Sequence, residues 1–321
     1  MDGERERVEG LFRDALRTGR LTLPLPGGGR TRARFEGLAA LGEEDLALAR
    51  LGEGHADAVA ILDELGGPAP APGSRWGVWA AEPPGTVLSA ADTGEGWRLT
   101  GVKRYCSGAR LCTHALVTAR TAEGPRLFAA AIGGPGRTPV AGTWPAVGMA
   151  GSDTLDVRFD DVPAEAVGPP GGYVERPGFA HGGVGVAACW YGGARALGRT
   201  LLAAARAREM GPHALAHLAM VDIALRVARQ ALDAAADEID ADPHDRKGAG
   251  PERALRVRTL VEGVAGEVMD RVGRALGAGP LCHDAAHARR VADLTVYLRQ
   301  HHAERDQAEL GALVALRGAG W

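Results

Sequence analysis

The spacing of hydrophobic residues changes twice along the chain, and this constrains its fold more than any other feature. Apolar residues recur at helical spacing over residues 8–16 and 43–65, at alternate positions over 76–159, and at helical spacing again after residue 168. Periods of about 3.6 and 2 are typical of amphipathic helices and half-buried strands. The first change falls at a Pro/Gly-rich stretch, residues 66–73, which favours neither. We therefore predict helices, then an antiparallel sheet or small barrel, then helices.

The C-terminal half contains four long stretches with helical spacing. Short Pro- and Gly-containing loops join them, and Pro251 is well placed to begin a helix. Long helices joined by short loops predict an antiparallel bundle. The predicted helices span residues 182–208, 214–239, 251–276 and 285–315.

The predicted fold class is thus α+β, with three domains. Residues 1–72 form an N-terminal helical domain, residues 73–167 an antiparallel β-domain, and residues 168–321 a C-terminal four-helix bundle.

Charge and composition exclude several classes of protein. The net charge is -3 without basic blocks, which argues against a nucleic-acid partner. No apolar run approaches the roughly 20 residues that span a bilayer, and the mixed-charge start does not resemble a signal peptide. The four cysteines form no Cys-x-x-Cys pair, so a reducing cytoplasm is the expected compartment. His283 and His287 lie one helical turn apart but lack a third ligand, so no metal site is predicted.

Residues 97–117 read as two short strands, with an aromatic and a hydroxyl residue two positions apart. Positions i and i+2 of a strand lie on one face. Tyr105 and Ser107 are therefore expected to present a ring and a hydrogen-bonding group to one ligand.

These residues, together with residues 148–162, resemble the middle domain of acyl-CoA dehydrogenases. The family pattern is Gly-x-Lys-x-aromatic-x-Thr/Ser, followed by Gly-x-small-Ser-x-Thr and a strand ending in Asp-Val; this chain has Gly-Val-Lys-Arg-Tyr-Cys-Ser and Gly-Ser-Asp-Thr-Leu-Asp-Val. The order of helices, sheet and bundle is also that of the family, although the N-terminal helical part is shorter than usual. The resemblance implies FAD between the β-domain and the bundle.

Several residues match flavin-binding positions of that family. The segment 76–84 matches the strand that ends in Thr-Glu-Pro and lies along the flavin, with Ala81 in place of the threonine. The ADP half of FAD is held in the family by an Arg-x-x-Phe-Gly motif and a Gln…Gly-Gly-x-Gly loop of another subunit. Here Met210 replaces the phenylalanine and arginine stands near the glutamine position. The implied cofactor-binding residues are Trp79, Ala81, Tyr105, Ser107, Arg206, Arg208, Arg274, Gly277 and Gly279.

The base is where the chain departs most from the family. The usual catalytic glutamate lies eight residues after an Arg-Asp pair, and counting eight from Asp293 gives His301, followed by His302. The alternative position, at the start of the first bundle helix, also lacks a carboxylate. A histidine near neutral pKa serves as a base, so His301 and His302 are the predicted catalytic residues, with His301 the more important. Of the motif that binds CoA in the family only the hydroxyl of Thr86 is retained.

The resemblance predicts a flavoprotein oxidoreductase acting on an acyl-CoA or a related small organic substrate, with histidine in place of the glutamate base. One alternative is a flavin monooxygenase or oxidase of the same fold. Another is a redox-silent paralogue that acts as a structural or binding partner. An electron-transfer protein is a further expected partner. A homodimer or dimer of dimers is expected because the family shares its flavin site between subunits, and because residues 197–205 are rich in Ala and Leu.

Overall fold

The computed structural model describes residues 2–316 as ten α-helices, two short 3-10 turns and seven β-strands, which confirms the predicted order of helices, strands and helices. The helices are α1 (Asp2–Arg17), α2 (Thr31–Glu44), α3 (Leu46–Leu65), α4 (Gly172–Glu175), α5 (Pro177–Ala207), α6 (Pro212–Ala241), α7 (Gly250–Leu276), α8 (Gly279–His283), α9 (Ala285–Tyr297) and α10 (Glu304–Leu316). The strands are β1 (Trp76–Trp79), β2 (Leu88–Asp92), β3 (Trp97–Cys106), β4 (His114–Thr121), β5 (Gly124–Ala131), β6 (Arg137–Val140) and β7 (Leu155–Val167). Across residues 2–316, no helix combines the length and apolarity that crossing a bilayer requires.

Two of the predicted helices are each divided in the structure. The stretch predicted over residues 43–65 is split at Asp45, whose extended backbone ends α2 and whose carboxylate accepts the amide of Leu48 (2.9 Å) at the start of α3. The stretch predicted over 285–315 is interrupted between α9 and α10. There Ala303 has a positive φ of 50°, which an α-helix does not tolerate.

Contacts divide the described chain into two compact units. The first comprises the residues up to Leu23, Arg50–Ala146 and Ala150–Phe179, and the second comprises Pro24–Ala49, Val147–Met149 and the residues from Ala180 onward. The first unit thus contains the sheet with α1, nearly all of α3 and α4, and the second contains α2 and the C-terminal helices. The finer division into three domains stays a prediction.

The sheet is mixed, which corrects the prediction of a purely antiparallel one. β4 pairs antiparallel with β5 over its full length but parallel with β1, and a single parallel bridge joins it to β2. β1 and β4 run in the same direction because the β2–β3 hairpin intervenes between them in the chain. β3 pairs with β2 and β7, and β7 also pairs with β5 and β6.

Both faces of β4 are buried over residues 115–117, and this explains the apolar run there. Val117 of β4 belongs to one core cluster, with Trp79 and Phe159. Leu116, the preceding residue, belongs to a second cluster with Ile61 of α3. Neighbouring residues of a strand point to opposite faces, so this part of β4 requires hydrophobic side chains at successive positions.

In the second unit, glycines permit α2 and α5 to pack closely. A side-chain carbon on Gly192 would overlap the backbone carbonyl of Ala39, and one on Gly42 would overlap that of Cys189. The two helices therefore approach more closely than alanine at either position would allow.

We expect Gly192→Ala to destabilise the protein by about 2 kcal/mol, because the helices must separate to admit the methyl group. Gly263→Ala is the matched control: Gly263 lies in the interior of α7 with open space around it. That change should stabilise by about 0.5–1 kcal/mol through helix propensity. Urea unfolding followed by circular dichroism measures both, and equal effects would contradict the close packing.

Candidate functional site

Tyr105 lies in an irregular part of β3, where the pairing with β7 shifts register between Lys103 and Cys106. Its φ is 58° and its side chain is 51% exposed. Ser107 lies one residue beyond the strand and is buried. The prediction that the two share a face of a regular strand was therefore wrong in its geometry. Their role as flavin ligands stays a prediction.

The left-handed backbone of Tyr105 is an unfavourable conformation for an aromatic residue and costs about 1–2 kcal/mol. Such strain persists only where the surroundings impose it, and it concentrates at functional sites. The packing of the sheet does not explain an exposed aromatic ring held in this conformation.

A chain of hydroxyl groups fixes the position of Ser107. Its Oγ shares a hydrogen bond with Oγ1 of Thr154 (3.0 Å), and that atom shares another with Oγ of Ser152 (2.8 Å). All three side chains are buried. The Ser107 carbonyl accepts the indole N–H of Trp79 (2.9 Å). Both the main chain and the side chain of Ser107 are therefore held in place.

Trp79 lies in the interior of the first unit. It is 1% exposed, and its bond to the Ser107 carbonyl is its contact with the candidate site. Its role as a cofactor-binding residue stays a prediction.

Sequence reasoning missed an ion pair that joins the two turns of the site. Asp153 has a positive φ of 48°, and its buried carboxylate accepts the backbone N–H of Arg110 (2.7 Å) and binds the guanidinium of the same residue. Arg110 follows β3 and Asp153 precedes β7, so the pair ties the turn of Ser107 to that of Thr154. The Gly-Ser-Asp-Thr motif contained the signal, since Asp is among the few residues that tolerate this backbone conformation.

Ala81 and Thr86 line a small recess at the base of which lies Lys103. The Lys103 ammonium donates to the Thr118 carbonyl (2.8 Å) and hydroxyl (2.7 Å), with a Glu82 carboxylate oxygen 3.9 Å away. Burial lowers the pKa of Lys103 to about 8, although Glu82 favours the charged form. The recess has a volume of about 10 Å³, room for one water molecule and no larger group. Thr86 donates to the carbonyl of Pro83 (3.1 Å), so its hydroxyl also has a structural use.

The second unit contains the two predicted catalytic histidines, in very different settings. The side chain of His301 is fully buried; its Nδ1 accepts the backbone N–H of Ala303 (3.2 Å), so the ring proton lies on Nε2, 2.9 Å from the hydroxyl oxygen of Thr259. Burial lowers the pKa of His301, and the neighbouring Asp306 carboxylate offsets this only in part. His301 is thus a neutral group that holds the loop between α9 and α10.

His302 is the exposed member of the pair, with 62% of its side chain accessible. Its Nδ1 lies 3.1 Å from Asp306, which also accepts its backbone N–H (3.0 Å). Burial opposes ionisation of Asp306, but these hydrogen bonds and the two imidazoles outweigh it and lower the pKa of the carboxyl group. A carboxylate that orients one ring nitrogen leaves the other for a ligand.

The loop of the histidines is anchored by α7. Arg258 donates to the Gln300 carbonyl (2.7 Å) and to the Gly183 carbonyl (3.1 Å), with its guanidinium 4.8 Å from the ring centre of Trp190. These contacts join the loop to α5 as well.

The arginines and glycines predicted to hold the ADP half of FAD, called the clamp residues below, lie at helix ends in the second unit. Arg206, Arg208 and Arg274 are exposed, and Arg274 pairs with Asp270 (3.5 Å) one turn away. Gly277 ends α7 with a φ of 67°, and Gly279 begins α8. Exposed arginines at helix ends suit a phosphate, and this role stays a prediction. Among residues 2–316 there is no group of three or more His, Cys, Asp or Glu side chains arranged to hold a metal ion.

Comparison with solved structures identifies the fold. KijD3, in complex with FMN and a dTDP-linked amino-keto sugar, is similar with a TM-score of 0.80 and 21% identity, over 98% of this chain and 91% of that one. The nitrososynthase of Micromonospora carbonacea var. africana has a TM-score of 0.75 and 20% identity over 100% and 95% of the two chains. The methanesulfinate monooxygenase MsuC of Pseudomonas fluorescens has a TM-score of 0.79 and 16% identity, over 99% of this chain and 97% of that one. No family model and no curated protein matches the chain.

The chain therefore has the acyl-CoA dehydrogenase-like fold, as the sequence resemblance predicted. At identities of 16–21% these likenesses establish the fold and not the activity.

We expect Tyr105→Gly to stabilise the protein without ligand by up to about 1 kcal/mol, because glycine adopts a φ of 58° without strain. Thermal unfolding of flavin-free protein measures the change. Tyr105→Ala, which keeps the strain and removes the ring, is the control and should not be stabilising.

We expect the His301 ring to be mainly neutral at pH 7, as the Nε2–H form, and to take up its second proton at lower pH than it does in the unfolded chain. Burial lowers its pKa in the folded protein. Nitrogen-15 NMR of the imidazoles reports the tautomer, with signals assigned from their loss in His301→Asn. An imidazolium at pH 7 would show that the buried loop geometry is wrong.

Proposed function

We propose that this protein is a flavin-dependent oxidoreductase of the monooxygenase type, acting on a small organic substrate. The observation that carries the proposal is a strained, exposed Tyr105 two residues before a Ser107 fixed by buried hydroxyls, in a fold shared with FMN-bound KijD3.

The residues of the sheet unit fit a flavin. An isoalloxazine ring requires an aromatic neighbour and hydrogen-bonding groups along its N1/O2 and N5/O4 edges. Tyr105 supplies an exposed ring and Ser107 a hydroxyl, with Ala81 contributing only backbone groups where the family has a threonine. Buried hydroxyl partners limit the rotation of the Ser107 hydroxyl, which favours recognition of one edge of the ring.

We propose FMN as the cofactor in preference to the FAD that the sequence resemblance implied. FMN lacks the AMP part of FAD, and the family's Arg-x-x-Phe-Gly and Gln…Gly-Gly-x-Gly motifs hold the half of FAD that contains it. Met210 and the displaced arginines weaken that clamp in this chain. Arg206, Arg208 and Arg274, with the turns at Gly277 and Gly279, remain candidates to bind a phosphate of either flavin.

A monooxygenase explains the lack of a carboxylate base. Dehydrogenation of a thioester requires a carboxylate over the α carbon, and neither family position carries one. Oxygenation does not require it. When bound, the flavin supplies the electrons and the site of dioxygen activation. Methanesulfinate monooxygenase, whose name describes such a reaction, shares the fold.

For proton transfer we propose His302, oriented by Asp306, with His301 as the residue that holds their loop. An exposed imidazole that a carboxylate orients is suited to donate and accept a proton. This reverses the order of importance that counting from Asp293 suggested.

We further propose a homo-oligomer and, for its compartment, the cytoplasm. Cys106, Cys112 and Cys189 are buried free thiols, which suits a reducing environment. An electron-transfer or reductase protein is the partner that would supply reduced flavin or electrons. The alternative function is that of a dehydrogenase, whose substrate would be an acyl thioester with Thr86 at its CoA side.

The test is a fluorescence titration of flavin-free protein with FMN and with FAD. We expect FMN to bind at least as tightly as FAD. Thr154→Val should weaken FMN binding about 3- to 10-fold, because Ser107 loses the hydroxyl that fixes its own. Thr154→Ser keeps that hydroxyl and should restore binding.

Phe179→Ala removes an exposed aromatic ring elsewhere in the same unit and serves as the control. Failure of the wild-type protein to bind either flavin at millimolar concentration would remove the proposal and favour the redox-silent alternative. If Thr154→Val leaves FMN binding unchanged, the protein is still a flavoprotein, but the hydroxyl chain of Ser107, Thr154 and Ser152 has no part in binding the flavin.

A further inference from the structure

Lys103 carries a buried charge that its surroundings compensate only in part. The residue is 3% exposed and lies at the base of the recess that Ala81 also lines. Its ammonium donates to the carbonyl and the hydroxyl of Thr118, which are neutral acceptors. Its salt-bridge partner, a Glu82 carboxylate oxygen, lies 3.9 Å away, too far for a hydrogen bond, and the Glu82 side chain is 39% exposed. A buried ammonium without a close carboxylate is costly, so we expect a gain elsewhere to offset it.

The Lys103 ammonium lies next to both segments that are proposed to face the flavin. The Thr118 hydroxyl that accepts its hydrogen bond (2.7 Å) donates in turn to the carbonyl of Ala80 (3.4 Å), which immediately precedes Ala81. Tyr105 follows Lys103 by two residues in β3. Lys103 is thus two hydrogen bonds from one of these segments and two residues from the other, and all of them belong to the first unit.

The other charged groups near Lys103 are screened or neutral. Among the described residues that line the recess, Arg104 and Arg120 are also cationic, Glu82 is acidic, and the others are uncharged. Arg104 is partly exposed and pairs with a carboxylate of β7 (3.6 Å), and Arg120 is exposed, so solvent screens both charges. Burial raises the pKa of Cys106 well above its usual value, so its thiol is neutral. Lys103 is therefore the cation of the recess that solvent screens least.

We propose that Lys103 stabilises the reduced form of the bound flavin, by holding a fixed positive charge next to the segments that contact the ring. This inference rests on the proposed flavin site. Reduction adds two electrons and one proton to the neutral oxidised ring, so the reduced ring carries one negative charge at neutral pH. A nearby positive charge therefore favours the reduced ring over the oxidised one.

Such a preference suits a protein that receives its flavin already reduced. A reductase that supplies reduced flavin is among the proposed partners, and the oxidised form then competes for the same site. Tyr105 and Ser107 contact the ring in either form, so they do not by themselves distinguish the two. The charge of Lys103 does, and it acts through space, without a direct contact to the ring.

The test is the reduction potential of bound FMN relative to free FMN, measured by anaerobic titration followed by absorbance. The difference between the two potentials gives the ratio of the dissociation constants of oxidised and reduced FMN. At pH 7, Lys103→Met, which keeps the length and removes the charge, should lower this ratio about tenfold, a shift of about 30 mV to more negative potential. Glu82→Gln removes the opposing charge and should raise the ratio about threefold, the smaller effect of a partly exposed group.

Arg120→Gln removes an exposed cation that lines the same recess and is the matched control. Its effect on the ratio should be less than about twofold, because solvent screens the charge. Circular dichroism checks that each variant is folded. A Lys103→Met protein that binds FMN with the wild-type ratio overturns this inference and leaves the flavin site in place. Failure of the wild-type protein to bind flavin in either redox state removes the proposed function as well.

The pH dependence of the same ratio tests the charge in the unaltered protein. Burial lowers the pKa of Lys103 to about 8, so the ammonium is mostly charged at pH 7 and mostly neutral at pH 9. The wild-type ratio, with free FMN measured at each pH, should therefore fall about 3- to 5-fold between these two values. A ratio that stays constant over this range overturns the inference, even if Lys103→Met does not fold.

Discussion

The candidate site depends on two links that join the turn after β3 to the turn before β7. One is the hydrogen bond between Ser107 and Thr154, and the other is the ion pair of Arg110 with Asp153. Both involve buried groups, for which a lost partner costs more than a surface hydrogen bond. Tyr105 lies two residues before Ser107, so its positive φ falls beside a position that these links fix. The strain at Tyr105 is thus accommodated next to residues that are held firmly in place.

The same principle applies to the loop between α9 and α10 in the second unit. His301 is buried and neutral, and its two ring nitrogens bind Ala303 and Thr259. Its neighbour His302 remains exposed and is oriented by Asp306. One histidine fixes the loop so that the other is presented in a defined way. The two adjacent histidines therefore differ in what they do, because His301 is buried and His302 is exposed.

Hydrophobic periodicity predicted the order of elements and the long helices, because it reports directly on which faces are buried. The fold itself was predicted by the resemblance to the acyl-CoA dehydrogenases. It failed where a single residue departs from the periodic backbone. The positive φ of Tyr105 invalidated the shared-face argument, and that of Ala303 divided a predicted helix. The parallel pairing of β1 with β4 was also missed, since strand order depends on contacts distant in sequence. The position of His301 in a sequence motif gave no information on its burial.

Lys103 has one more consequence. The chain has only two lysines, and the other, Lys247, lies on an exposed loop. At pH 8 the Lys103 amine is neutral about half of the time and hence chemically nucleophilic, yet the fold shields it from reagents. A water-soluble, amine-reactive acylating reagent can reach the Lys103 amine only when the sheet opens locally. The rate of that modification, measured by mass spectrometry, therefore reports how often the sheet opens locally.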